Sequence, residues 1–121
     1  MKTLQVVNQT RGRELGGRVW LADRWWPRLR GLIGRRLESG QGLVLAPCKG
    51  VHMYGMKQAL DVAFVNRSGA VVAIYPELAP GRRTPFHKPA CKAIELPPGT
   101  LAETGTQVGD VLTCQPAEEE R

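Results

Sequence analysis

The spacing of apolar residues along this 121-residue chain changes character twice. Residues 4–8 read as a strand, and 9–17 is a polar, glycine-containing turn. Residues 18–22 (Arg-Val-Trp-Leu-Ala) predict a second strand, apolar on both faces for three positions. The period then becomes helical: counting from Trp25, Leu29, Leu32 and Ile33 fall at i+4, i+7 and i+8, one face of a helix. Asp23 is placed as its N-cap, with Pro27 still inside the first turn. Gly31 and Gly34 weaken this helix or end it early.

After Gly40 the pattern returns to short strands, at 42–45, 51–54, 60–66, 70–75, 92–96 and 111–114, rich in β-branched or aromatic residues. Asn66-Arg67-Ser68-Gly69 is a hairpin turn. Residues 76–89 form a loop punctuated by Pro76, Pro80, Gly81, Pro85 and Pro89. Pro97-Pro98-Gly99 is a turn, and Thr100-Leu101-Ala102-Glu103 matches a capping box for one helical turn ended by Gly105. The expectation is a mainly β (α+β) protein. It is a compact single-domain β-barrel or sandwich over residues 1–115, with one helix near the N-terminus, one short helical turn near the C-terminus, and an acidic flexible tail at 116–121.

Composition narrows the class. Apolar residues make up 42% and charged residues 23%, too apolar for a disordered chain and sufficient for one core without disulfides. No stretch approaches the roughly 18 apolar residues of a membrane span, and the start lacks a signal-peptide pattern. The three cysteines, Cys48, Cys91 and Cys114, form no CxxC pair, so at least one thiol is free in a monomer, which argues for a reducing cytoplasm. Net charge is +6, carried wholly by residues 1–40, where nine Lys and Arg face Glu14, Asp23 and Glu38. Arg24, Arg28 and Arg35 share one face of the expected helix and could meet a polyanion. A solvated helix face is the preferred explanation, because the helix alternates basic with apolar residues. No base-stacking array follows that helix, which argues against nucleic acid as the partner.

The order of motifs is recognisable. Arg30-Gly31-Leu32-Ile33-Gly34-Arg35 is followed by a Gly-Leu-Val-Leu strand running into Pro47-Cys48. Then come Val51-His52-Met53-Tyr54-Gly55-Met56, Leu60-Asp61-Val62-Ala63-Phe64-Val65, Glu95-Leu96-Pro97-Pro98-Gly99 and Gly109-Asp110. Over roughly residues 15–112 the chain resembles the bacterial and archaeal family called Domain of Unknown Function 192. The resemblance implies a small, mainly β domain without an established activity. Two positions depart from the family's usual pattern: Met53 stands where Thr is usual after the His, and Ala59 where Pro usually precedes the Leu-Asp pair.

Candidate chemistry gathers at Cys48, His52, Met53, Tyr54, Met56, Lys57 and Asp61. In an extended segment Cys48, His52 and Met56 project from one face, a soft donor set suited to Cu(I). His87 and Cys91 repeat the spacing in reverse, and with Cys48 and His52 would make a Cys2His2 set of the kind that binds Zn. A buried Cys and Met with a hydrogen-bonded His is the structural alternative. As a nucleophile and base, Cys48 and His52 are poorly placed, because four residues of strand separate their Cα atoms by about 13 Å. Asp61 could orient that imidazole, but a pairing with Lys57 or a cap on backbone N–H groups explains it better. Arg82 and Arg83, beside Gly81 and Thr84, offer forked donors for a carboxylate or phosphate. No Walker or Rossmann glycine pattern occurs, and no cofactor is implied. The sequence therefore points to a non-catalytic binding or accessory module for a small molecule or protein partner. Its expected site is His52, Met56, Lys57 and Asp61, with Arg82 and Arg83 as anion contacts.

Overall fold

Seven strands and one short helix make up a computed structural model that describes residues 2–22 and 36–117. In chain order they are β1 (Thr3–Asn8), β2 (Arg13–Ala22), β3 (Gln41–Leu45), β4 (Leu60–Val65), β5 (Val71–Leu78), β6 (Lys92–Leu96), α1 (Thr100–Thr104) and β7 (Leu112–Pro116). All seven strands join one sheet in the order β5-β4-β6-β3-β2-β1-β7. β2 and β3 run parallel, and the remaining ladders are antiparallel.

The sheet curls into a half-barrel because its two edge strands meet at one end. Ala70 bridges Val111. Val71 N–H donates to the Asp110 carbonyl and Leu112 N–H to the Gly69 carbonyl, each at 2.8 Å. Gly69 is required here: its φ is 86°, and a Cβ would come within 2.6 Å of the Leu112 oxygen. The hairpin turn expected at 66–69 is present, with Asn66 Oδ1 accepting from Ser68 N–H, Ser68 Oγ and Ala70 N–H.

Both faces of β4, second from one edge of the sheet, are covered. Ala63 and Val65 point into the main core with Leu4, Val6, Leu15, Val19, Val44, Val71, Ile94, Leu96, Leu101 and Leu112. Val62 and Phe64 point outward, beneath Val51 and Ala90 from two long loops. That double burial is why β4 reads as a continuous apolar run in the sequence.

Several expectations are corrected. The turn expected over 9–17 is confined to the residues between β1 and β2, because Gly16 pairs with Val6 beside a register shift and lets the strand start at Arg13. The strand expected at 51–54 is reduced to a single bridge between His52 and Arg83, since its neighbour is a loop and not the sheet. β5 continues to Leu78 through Pro76, tolerable on an edge strand. β7 reaches Pro116, which pairs with Leu4, so that residue belongs to the sheet. α1 is not capped by Thr100. Gly99 occupies the N-cap in the left-handed region with no side-chain cap bond, and Thr100 Oγ1 donates to the Pro97 carbonyl at 2.8 Å. The C-terminal Gly105 is left-handed, as expected.

α1 is the one helix among the described residues. The expected N-terminal helix, with Arg24, Arg28 and Arg35, lies outside the described residues, as does the tail from 118. No helix among the described residues is long and apolar enough to cross a membrane.

Candidate functional site

Two loops, 46–59 and 79–91, lie together over the outer face of β4 and β6. Their backbones form a short ladder: Met53 N–H donates to the Arg82 carbonyl (2.7 Å), Thr84 N–H to Val51 (2.9 Å) and Gly81 N–H to Met53 (2.9 Å). Further along, Cys48 N–H donates to the Cys91 carbonyl (3.0 Å) and His87 N–H to Lys49 (2.7 Å). Lys49 Nζ straps the loops by donating to the carbonyls of Lys88 (2.7 Å) and Ala90 (2.5 Å). So many cross-loop bonds make this a fixed surface.

Alternation along the first loop sorts its side chains. Val51 and Met53 are buried, whereas His52 and Tyr54 face solvent on the same side. Their rings lie with centroids 5.0 Å apart and planes 32° from parallel. Arg83 stands across the bridge from His52. Together with Lys49, Gly50, Val51, Thr84 and Phe86 these residues line an open cleft of about 380 Å³. Its walls include two large exposed aromatics, Tyr54 at 56% and Phe86 at 73% exposure.

His52 and Arg83 of the expected ligand set are thus brought together. Arg82 is adjacent and exposed, Lys57 is exposed, and Met56 is half-buried, but none of these three lines the cleft. Asp61 is withdrawn from the set altogether. It is fully buried, with Oδ1 accepting from Glu77 N–H (2.8 Å) and Gly99 N–H (3.2 Å), and Oδ2 from Leu101 N–H (2.8 Å). It therefore supplies the cap that α1 lacks locally, and it does not pair with Lys57. Tyr54 and Thr84, named beside the candidates but left out of the expected site, line the cleft, as do Phe86 and Lys49, which the sequence did not single out. The available signal was an aromatic beside glycine or proline in a basic loop, where packing offers it no partner.

The proposed Cys2His2 arrangement does not form. Among the described residues no three His, Cys, Asp or Glu side chains gather closely enough to hold a metal. His87 is turned inward, its Nε2 sharing a hydrogen bond with Tyr75 Oη at 2.6 Å and its ring 4.9 Å from that of Phe64. Cys48 Sγ donates to the Gly50 carbonyl (3.2 Å), and burial pushes its thiol up, the opposite of activation. On the outer sheet face near Cys48, Glu95 is buried, and desolvation pushes its carboxyl up to about 7.

A family model described as "Uncharacterized ACR, COG1430" (DUF192) matches residues 6–114. A UPF0127 protein of Thermococcus sibiricus is 31% identical over 124 residues, covering 96% of this chain and 77% of its own length. Another, from Pyrococcus furiosus, is 32% identical over 112 residues, covering 88% and 95%. A crystal structure of a protein of unknown function from Novosphingobium aromaticivorans has the same fold, with a TM-score of 0.75 at 24% identity over 92% of this chain and 83% of the other. The match across nearly the whole described sheet and both loops identifies the chain as a member of the DUF192 family.

Proposed function

We propose that this protein is a non-catalytic binding module whose site is the cleft between loops 46–59 and 79–91. The observation that carries this reading is the pair of exposed aromatics, Tyr54 and Phe86, beside His52 and Arg83 on hydrogen-bonded loops. Large apolar rings left in water on a rigid support mark a contact surface more often than a packing accident. The ligand it suits is anionic with a flat apolar part. Loops 46–59 and 79–91 contain Lys49, Lys57, Arg82, Arg83 and Lys88 and not one Asp or Glu.

Anilinonaphthalene sulfonate, a flat aromatic anion, is a suitable probe. Saturable fluorescence enhancement is expected for the native protein. Arg83→Ala and Phe86→Ala should each weaken it with little change in melting temperature, because both side chains are exposed. Undiminished binding by both variants would place the probe elsewhere and end this reading.

A further inference from the structure

We infer that the cleft is built to hold a nucleotide unit, its base stacked on Tyr54 or Phe86 and its phosphate held by Arg83. This rests on the binding-module reading above and specifies the ligand.

Geometry favours an aromatic ligand. A base needs a flat, solvent-open ring to lie against, and stacking tolerates any base because each has a π-face. Tyr54 supplies such a ring, already supported from one side by His52 at 5.0 Å. Phe86, from the opposite loop, supplies a second on the same cleft. Here the rings stand on two loops joined at the single His52–Arg83 bridge, which puts the Arg83 side chain and both rings on one cleft. The open side of the cleft accommodates a free nucleotide or one unit of a strand.

Charge favours a phosphate. Among the described residues, neither Arg82 nor Arg83 donates a side-chain hydrogen bond to a protein acceptor, and the single ion pair is Arg11 with Asp110 elsewhere. Arg83 presents a forked donor beside the rings, the geometry a phosphate takes. Lys57, Lys88 and Arg82 extend the positive field with no carboxylate in either loop. An acidic peptide would satisfy the cations and leave both rings unused. A purely apolar ligand would leave the arginines unused.

The test uses the full chain and four probes. These are a fluorescein-labelled ten-nucleotide DNA single strand, the same strand with abasic sites throughout, polyglutamate, and adenosine monophosphate by calorimetry. The intact strand should bind, with affinity falling as salt rises. Tyr54→Ala and Phe86→Ala should each weaken it about tenfold or more. Arg83→Gln should reduce the magnitude of the log–log salt slope by about 0.7, one phosphate contact. Binding of adenosine monophosphate as tight as the strand identifies a free nucleotide as the ligand, whereas much tighter strand binding identifies single-stranded nucleic acid. Equal binding of the intact strand, the abasic strand and polyglutamate overturns the nucleotide inference and leaves a general polyanion surface. Failure of every nucleotide while anilinonaphthalene sulfonate still binds overturns it too, with the cleft retained. Failure of all probes removes both readings.

Discussion

Replacing Asp61 by alanine tests how the fold holds together around the site. The carboxylate is fully buried and accepts three backbone N–H groups from separate pieces of chain: the β5 bulge at Glu77, the turn at Gly99 and the start of α1 at Leu101. Glu77 has a φ of 51°, a left-handed backbone that the bond to Asp61 helps hold. Alanine leaves the buried Leu101 donor and the part-buried Glu77 and Gly99 donors without an acceptor, each costing about 1–3 kcal/mol and the part-buried pair toward the low end. Water entering the vacated space offsets part of this, so the expected loss is about 4 kcal/mol. For a chain of this length the unfolding entropy near the midpoint is about 0.25 kcal/mol/K, so Tm should fall by about 16 °C. Asp61→Asn keeps an acceptor at Oδ1 but sets an amide N–H₂ against Leu101 N–H, and should lose about half as much. Urea unfolding followed by circular dichroism, with differential scanning calorimetry, measures both. A loss under 1 kcal/mol for Asp61→Ala with an unchanged m-value would refute the reasoning. A ligand contact would behave oppositely, with Tm preserved and binding lost.

Two further predictions concern pH. Glu95 has a folded-state pKa of about 7 against 4.5 for the free side chain, so the folded state favours its neutral form. Its contribution is fully present below about pH 4.5 and lost as pH rises through 7, up to about 3 kcal/mol. Urea midpoints of the native protein should therefore fall from pH 5 to pH 8 more than those of Glu95→Gln, and equal falls would show that this carboxyl is not responsible. Asp110 titrates in the other direction. Hydrogen bonds from Arg11, then from Asn8 and Gln107 N–H, hold its carboxyl well below the usual carboxylate range. Its contribution is present above the unfolded pKa and lost as pH falls, so Arg11→Ala should move the acid-unfolding midpoint to higher pH. An unmoved midpoint would sink that assignment.

Elements whose residues carry their own reason to fold were legible. The turn at 66–69 is made by Asn66 Oδ1 and the left-handed Gly69 within four residues, and β4 announces itself by six consecutive buried positions. The β2 start and the α1 cap were not legible, because the deciding partner is remote in sequence. Gly16 is in a strand because Val6 pairs with it, and α1 is capped from Asp61, some 40 residues upstream. The site was half legible for the same reason. The sequence could pick His52, in an expected strand, and Arg83, in an expected loop, as polar candidates, but only the ladder between the two segments makes them neighbours.

Charge shows the division between the two levels most plainly. The sequence by itself determined a mainly β fold with excess basic charge in the first 40 residues. From residue 41 onward its eight basic and eight acidic side chains cancel on paper. They do not cancel in space, because carboxylates whose lone pairs find partners or cover are taken out of the surface field. Asp61 is spent on three backbone donors, Asp110 on Arg11, and Glu95 is buried with its proton favoured. Of the cations of loops 46–59 and 79–91, Lys49 is spent on two backbone carbonyls, whereas Lys57, Arg82, Arg83 and Lys88 stay at the surface, Arg83 on the same cleft as Tyr54 and Phe86. That separation of sign, and the cleft it surrounds, was decided by tertiary structure alone, since it depends on which groups the folded backbone needs as acceptors.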